Sequence, residues 1–476
     1  MKRLSFLTLI SLLFTYTAWT QDTWTLEECI TYSIEQSLTV EQAEINLQSA
    51  GVNQKEAKNS RWPSLNASIG TGMNFGRVIN PSTNTFETDN SLFSNYGISS
   101  GVSVFAGNRI NNDIKRNNLD FEVATSDLKQ ARVALALDVA LSFLNALFAK
   151  ENLRNAETKL ELSKKQLDQI DKLIAAGSRP ASERYDILAQ ISLDEQDAVQ
   201  FENSITQAHL VLKHRMRLEP EYDLQLVNPD INEDILNLIE TYTFDQVYQA
   251  ALKTQPQVHA QQLRIESSIL NEKIAEGARL PTLSLNASGG TNTTDLDKYE
   301  SDYSVARVEV PNAYIDGMPG RLEQDIKTDQ QYTQTAYGDQ INNNLGYGVS
   351  LNLSIPIYNN YRNKANVDRA HLGVLRAQNA EEQIKQDLKT EIQNALSSAR
   401  AAKESLEASQ AALDAAQIAY SNSEKRFDLG ALNSYDLINA QNRLDAARVN
   451  LTISKFDYTF RYLVVEYYLG KGLKYE

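Results

Sequence analysis

Apolar and small positions along residues 392–427 recur in steps of three and four. They are Ile392, Ala395, Ala399, Ala402, Leu406, Ser409, Leu413, Ala416, Tyr420, Ser423 and Phe427. A three-four alternation without a slip is a heptad seam, the period at which helices supercoil left-handedly around neighbours. The seam stops at Asp428-Leu429-Gly430, where glycine accepts the positive φ that closes a helix end. Beyond it Leu437, Leu444, Leu451 and Tyr458 recur every seven residues, with Ala440, Ala447 and Ser454 between them. The pattern predicts a long antiparallel helical hairpin with a tight tip. A hairpin so long is too thin to hold a globular core and has to line up with further helices.

The same pattern occurs once before. A helix predicted from about Asn111 to Ala176 reaches roughly 100 Å at 1.5 Å per residue. Its seam is Ala149, Leu153, Ala156, Leu160, Ser163, Leu167, Ile170 and Ile174, and it ends at Gly177-Ser178-Arg179-Pro180. The return helix carries Ile187, Ile191, Asp194, Ala198, Phe201, Ile205, Ala208 and Leu212. Between the helical stretches the period changes to two. Leu65, Ala67, Ile69, Thr71 and Met73 alternate with small polar residues, and Ile98, Ser100, Val102 and Val104 form the returning strand. Leu283, Leu285 and Ala287, then Val349, Leu351, Leu353 and Ile355, repeat the arrangement. One apolar and one small polar face fits a strand between lipid and water, and equally a half-buried strand of a soluble sandwich. The connection Arg77 to Ser91 reads as a short polar loop. Asn292 to Asn344 reads as a long acidic loop, functional or disordered.

The two halves share landmarks at matching spacing. Thr25-Leu26-Glu27-Glu28 corresponds to Thr243-Phe244-Asp245-Gln246, and Arg61-Trp62-Pro63-Ser64-Leu65 to Arg279-Leu280-Pro281-Thr282-Leu283. Pro63 and Pro281 mark helix-to-strand junctions, because proline disfavours helix in the residue before it. The expected organisation is a first repeat over 21–240 and a second over 241–476. The first holds a β-hairpin at about 64–105, a helical hairpin at about 108–217 and a linker over 218–240. The second holds a β-hairpin at about 282–357 and a helical hairpin at about 361–470.

Charge and composition narrow the setting. Lys2 and Arg3, an apolar run from Leu4 to Phe14 and small residues near Ala18 read as a signal peptide over residues 1–20. The chain carries a net charge of −15, and loss of that segment makes it more negative, which disfavours nucleic acid as a partner. A single cysteine, Cys29, excludes an intramolecular disulfide and reads as a core residue. Val133 to Ala149 is the longest later apolar run, but Asp138 and Asn145 interrupt it, so membrane contact is expected through strands.

No Ser-His-Asp order, phosphate loop or zinc spacing stands out, so no enzyme, metal or cofactor is expected. Four strands cannot close a barrel, and open sheet edges are not tolerated in lipid. Two copies would supply eight strands and three copies twelve. A structural or adhesive coiled-coil protein of the envelope, with no pore, is the alternative.

Four features together resemble the TolC family of outer-membrane efflux channels over essentially the whole mature sequence. They are the duplicated plan, the Arg-x-Pro junctions, the aromatic-x-Gly/Asn-x-Arg start of each long helix (Phe105 to Arg109; Tyr358 to Arg362), and Gly-x-x-x-Ser-x-Asp-Leu-x-x-Ala-Gln at Gly430 to Gln441. The resemblance implies an α+β membrane protein of the outer membrane. In it, duplicated coiled-coil hairpins join two β-hairpins, whose four strands enter a trimeric twelve-stranded barrel continuous with an α-helical barrel. It also implies an exit duct for efflux or type I secretion, in contact with outer-membrane lipid. The hairpin tips (Gly177, Ser178, Arg179; Gly430, Ala431, Leu432) would dock a periplasmic adaptor that links the duct to an inner-membrane pump. Asp436 falls where the family has a gate-lining aspartate, and Asn439 replaces a second one. Symmetry would turn Asp436 into a ring of acids that favours cations. Its place in a first helical turn equally suits an acid that stabilises the helix macrodipole.

Overall fold

A computed structural model describes residues 23–80, 82, 84–227, 239–311, 314, 315, 318, 319 and 321–471. The expected signal peptide, part of the linker and the last five residues lie outside this set. The described chain forms two compact units. One comprises the described parts of 1–51, 119–265 and 375–476, the other those of 52–118 and 266–374.

The first unit is helical. Its elements include the short paired strands β1 (Thr23–Trp24) and β4 (Gln225–Leu226), α1 (Leu26–Gln36), most of α3 (Arg109–Ala175), α4 (Ser182–Met216) and α5 (Phe244–Thr254). Much of α8 (Arg362–Asp428) and all of α9 (Ser434–Tyr468) complete it. Helices α2 (Leu38–Asn59) and α6 (Pro256–Gly277) contribute to both units. The helices come in pairs of equal length: α1 and α5 have 11 residues, α2 and α6 22, α3 and α8 67, α4 and α9 35. The paired starts are built alike. Thr25 caps α1 and Thr243 caps α5, each in a reciprocal capping box, with Glu28 and Gln246 respectively.

Three clusters form the core of this unit. One joins Cys29 of α1 to Val139, Phe143 and Leu147 of α3 and to Leu212 and Met216 of α4. It explains the apolar run of α3, which by length and composition alone could cross a membrane but is half buried against its neighbours. Burial pushes the Cys29 thiol up to about 12, so it stays protonated and inert. The second cluster holds Leu388, Ile392, Leu396 and Ala399 of α8 against Tyr458 and Tyr462 of α9. The third lies at the hairpin tips. The seam read from sequence is therefore the buried stripe, with Ile392, Ala399, Ala402, Tyr420 and Phe427 all inside.

The second unit contains an antiparallel sheet in the order β10-β5-β3-β2, from β2 (Ser64–Asn80), β3 (Thr85–Ala106), β5 (Thr282–Thr294) and β10 (Gly346–Ser354). Register aligns the apolar residues in rows. Tyr347, Gly289, Ile98 and Ala67 share one row, and Val349, Ala287, Ser100 and Leu65 the next. The opposite face carries rows such as Gly348, Ser288, Ser99 and Asn66. The apolar face is bare: Tyr347 is 90% exposed, and Leu65, Ile69, Val349 and Leu351 are exposed with it. Strands β2 and β10 each leave one edge without a partner among the described residues.

Two loops of the sequence reading turn out to be structured. Pairing of β2 with β3 runs from Ser64↔Gly101 to Asn80↔Thr85, so most of Arg77 to Ser91 is strand. Alternation weakens there, but backbone pairing continues without it, and Arg77 lies over the Phe86 ring at 4.2 Å. Within Asn292 to Asn344 lie β6 (Lys298–Glu309), short β7 (Tyr314–Ile315) and β8 (Met318–Pro319), β9 (Glu323–Gln334) and α7 (Tyr337–Asn343).

Candidate functional site: the hairpin tips and gate

Each long hairpin turns on one glycine. Gly177 has φ +72° and Gly430 φ +75°, the left-handed region that other residues avoid. Gly177 N–H donates to the Ile174 carbonyl and Ser178 N–H to that of Leu173; Gly430 and Ala431 repeat this onto Phe427 and Arg426. Both are Schellman closures, which satisfy carbonyls that a helix end leaves unpaired. Gly177, Ser178, Gly430 and Ala431 are exposed, and Leu432 is half-buried against the tip cluster.

Arg179 differs from the tip residue that the sequence suggested. It does not stand free in solvent but turns inward and ties one tip to the other. Its guanidinium donates to the carbonyls of Phe427 at 3.1 Å and Leu432 at 2.7 Å, and lies 4.7 Å from the centre of the Phe427 ring. Glu183 pairs with it at 3.4 Å. The long apolar stem of arginine lets the charge reach a second hairpin while the stem stays covered. Gln169 to Asp428, at 2.6 Å, is another link between the tips.

Asp436 is exposed in the first turn of α9. Asn433 caps that helix, its side-chain oxygen accepting from Asp436 N–H at 2.8 Å. Asn439 sits half-buried one turn further on. Other residues of the Gly430–Gln441 motif are structural: Ser434 and Gln441 are fully buried.

Above the tips, a buried polar layer crosses all four helices. Gln166 of α3 donates to Gln441 of α9 at 2.7 Å and to the Tyr420 hydroxyl of α8 at 3.4 Å. Gln441 donates to Ser163 at 3.5 Å, and Ser163 to Asp194 of α4 at 2.6 Å. Asp194 is 0% exposed and also binds Gln190 at 2.7 Å and Lys159 at 2.9 Å. Burial opposes the charge on Lys159, but its bonds to Asp194 and the attraction of Asp194 and Asp197 outweigh this and raise its pKa. Asp445 of α9 faces the same layer. Its Oδ2 is buried with no hydrogen-bond partner among the described residues, and its Oδ1 lies 3.5 Å from Arg448.

Asp445 gives the layer a pH dependence. Burial pushes its carboxyl up to about 6; Arg448 and Lys159 pull it down, and Asp194 pushes it up. Tyr420 faces it from α8. The folded state therefore holds the proton more tightly than an unfolded chain, whose aspartate titrates near 3.8. The stability gained from that proton is complete below the unfolded value and is lost as pH rises through about 6. Relative to Asp445→Asn, the native protein should gain thermal stability between about pH 7.5 and about pH 5. Melting curves of both at the two pH values test this, and parallel shifts would exclude it.

Pro63 and Pro281 stand directly before β2 and β5. The opposite junctions, from strand to long helix, use two consecutive left-handed residues in each half: Gly107 (φ +60°) and Asn108 (+64°), then Asn360 (+53°) and Tyr361 (+65°). Gly107 also touches the backbone of Gly277, so closely that a Cβ on either glycine would strike the other's carbonyl oxygen. The glycine of the helix-start motif was the only sequence signal of this approach; Gly277 carried none.

The model of the outer membrane efflux protein family matches residues 30–214 and 247–458. The chain belongs to that family. The outer membrane efflux protein BepC of Brucella suis biovar 1 (strain 1330) is 25% identical over 212 residues. That match takes in 44% of this chain and 38% of BepC, so it spans less than half of either. The fold is that of CusC (TM-score 0.74, 17% identity, 94% of this chain and 92% of CusC). It is also that of VceC from Vibrio cholerae (TM-score 0.72, 13% identity, 94% and 97%). Membership in the family places this protein in the outer membrane.

Proposed function

We propose that the protein is the passive outer-membrane exit duct of a tripartite efflux or type I secretion system, working as a homotrimer. The sheet carries the proposal. It has a bare apolar face, a small polar face and two open edges, and its strands lead through the Gly107 and Asn360 junctions into 67-residue helices. A soluble sheet would cover that apolar face, and lipid does not tolerate the edges. Three copies close twelve strands into a barrel with its apolar face on lipid. The equal helix pairs support a duplicated chain, with repeats over 21–240 and 241–476. CusC is likewise described in connection with transmembrane channel formation.

The exposed tips offer a periplasmic adaptor the backbone turns at Gly177 and Gly430 and the apolar side chains of Leu429 and Tyr435. The adaptor joins the duct to an inner-membrane pump, which selects the cargo. Asp436, one from each copy, forms an acidic ring at the mouth, with Asn439 beside it. The test is a detergent-solubilised preparation, run on gels and inserted into planar bilayers. A heat-dissociable trimer that conducts is expected, with lower cation preference or weaker divalent block in Asp436→Ala. A silent monomer rules out the duct, and unchanged selectivity and block remove the ring.

A further inference from the structure

The hairpin formed by β6 and β9 is unusual in its setting. It is a two-stranded sheet of its own, and among the described elements its strands pack extensively only on each other. It is nonetheless firmly rooted. Thr335 N–H donates to the Asp297 carbonyl at 2.9 Å and its hydroxyl to the Asp297 side chain at 3.1 Å. Lys298 N–H donates to Ser82 at 2.7 Å, Leu92 N–H to Asp295 at 3.0 Å, and Leu296 is buried between.

Its two faces are chemically segregated. Over residues 304–309, register pairs Ser304↔Thr328, Ala306↔Ile326 and Val308↔Gln324 on one face, which carries no charge until Asp302 at its base, where the register shifts. The intervening pairs, Val305↔Lys327, Arg307↔Asp325 and Glu309↔Glu323, place five ionisable side chains on the other. Arg307 pairs with Asp325 at 2.9 Å across that face, and Lys327 with Glu300 at 2.9 Å. On the uncharged face Ile326 and Val308 are open, at 39% and 42% exposure. An isolated two-stranded hairpin is marginal in water, and both outer edges of this one are unpaired among the described residues.

We propose that the uncharged face is a self-association surface, on which the hairpins of three copies of this chain meet above the exit of the duct. The inference rests on the trimeric reading above. The hairpin begins where β5 leaves the sheet, so a ring that closes the sheet sets one hairpin per copy at equal spacing on one rim. Side-to-side contacts in such a ring join unlike surfaces, but on the three-fold axis the same face of all three hairpins converges. The uncharged faces can meet without repulsion, whereas the charged ones would oppose Glu309 and Glu323 to their own copies. Lipid is a poor occupant, because the open edges and the side chains of Ser304, Thr328 and Gln324 would lose their hydrogen bonds there. A covered hairpin narrows the exit and presents only its charged face to the medium.

Single cysteines test the surface in the full-length protein, where native Cys29 is fully buried and out of reach. Ile326→Cys, and independently Ser304→Cys, sample the uncharged face, and Val305→Cys the charged one. Treatment with a short bismaleimide, quenching and denaturing electrophoresis should shift the first two from the monomer to a dimer band, because one thiol per copy can join only one neighbour. Val305→Cys should stay at the monomer position. Absence of cross-linking at both 304 and 326, in a preparation whose unheated sample still runs as a trimer, overturns the surface and leaves the trimer standing. Equal cross-linking at 305 also overturns it. A protein that is monomeric before heating removes the trimeric reading and this one together.

Discussion

Asp194→Ala should destabilise the helical unit by about 3–5 kcal/mol, the usual cost of removing one partner from a buried charged network. Asp194 is fully enclosed and holds Lys159, Ser163 and Gln190. Its loss leaves the Lys159 ammonium, only 16% exposed, beside a small cavity, with Asp197 at 3.4 Å as its remaining ion pair among the described residues. Ser163 also loses its acceptor, so the chain from Gln441 through Ser163 ends on nothing. Asp194→Asn keeps an acceptor for Ser163 while removing the charge, and should recover part of the loss. Guanidinium titration followed by helical circular dichroism measures both. A loss below about 1 kcal/mol for the alanine variant would mean that solvent reaches the layer and that the network is ordinary surface pairing.

Gly107→Ala should cost about 2–5 kcal/mol, with two separable causes. A positive φ costs a residue with a Cβ about 1–2 kcal/mol. The added carbon would also strike the Gly277 carbonyl oxygen, and forcing apart two backbones in contact costs about 1–3 kcal/mol more. Gly430→Ala provides the reference. Its φ is similar, at +75°, but a Cβ there meets open space, so only the first cause applies. The difference between the two variants in one stability assay isolates the close approach. Equal losses would show that the junction yields freely.

The sequence was most legible where one residue type has one physical use. A heptad stripe of Ile392, Ala399, Tyr420 and Phe427 has to be buried, and glycine after such a stripe has to turn the chain, so seam and tips were readable. Alternating Leu351 and Leu353 gave the strands, though not their full extent, because pairing continues past Met73 where the alternation weakens. Polar side chains were harder. Gln166 and Asp445 look like a solvated helix face until the two hairpins pack together, and Lys159 does so until α4 brings Asp194 beside it. Arg179 reads as a tip residue because nothing nearby in sequence shows that Phe427 and Leu432 lie within its reach. The β6–β9 hairpin was hidden by its acids, which mark a surface loop and equally one face of an exposed ribbon. Asp436 remains the position where a gate and a helix-stabilising acid look alike, in the structure as in the sequence.

The polar layer also sets a rule for how such hairpins can change length. Gln166, Ser163 and Asp194 index one pair of helices against Gln441 and Tyr420 of the other pair. A slip of α9 by one heptad would put Arg448, seven residues on, where Gln441 sits, and would bring a guanidinium into a space built for an amide. Hairpins held this way cannot slide to absorb an insertion. They can grow or shrink only by whole heptads, made in both strands of both hairpins on the same side of the layer. The reach of the chain is thus quantised, in steps of about 10 Å.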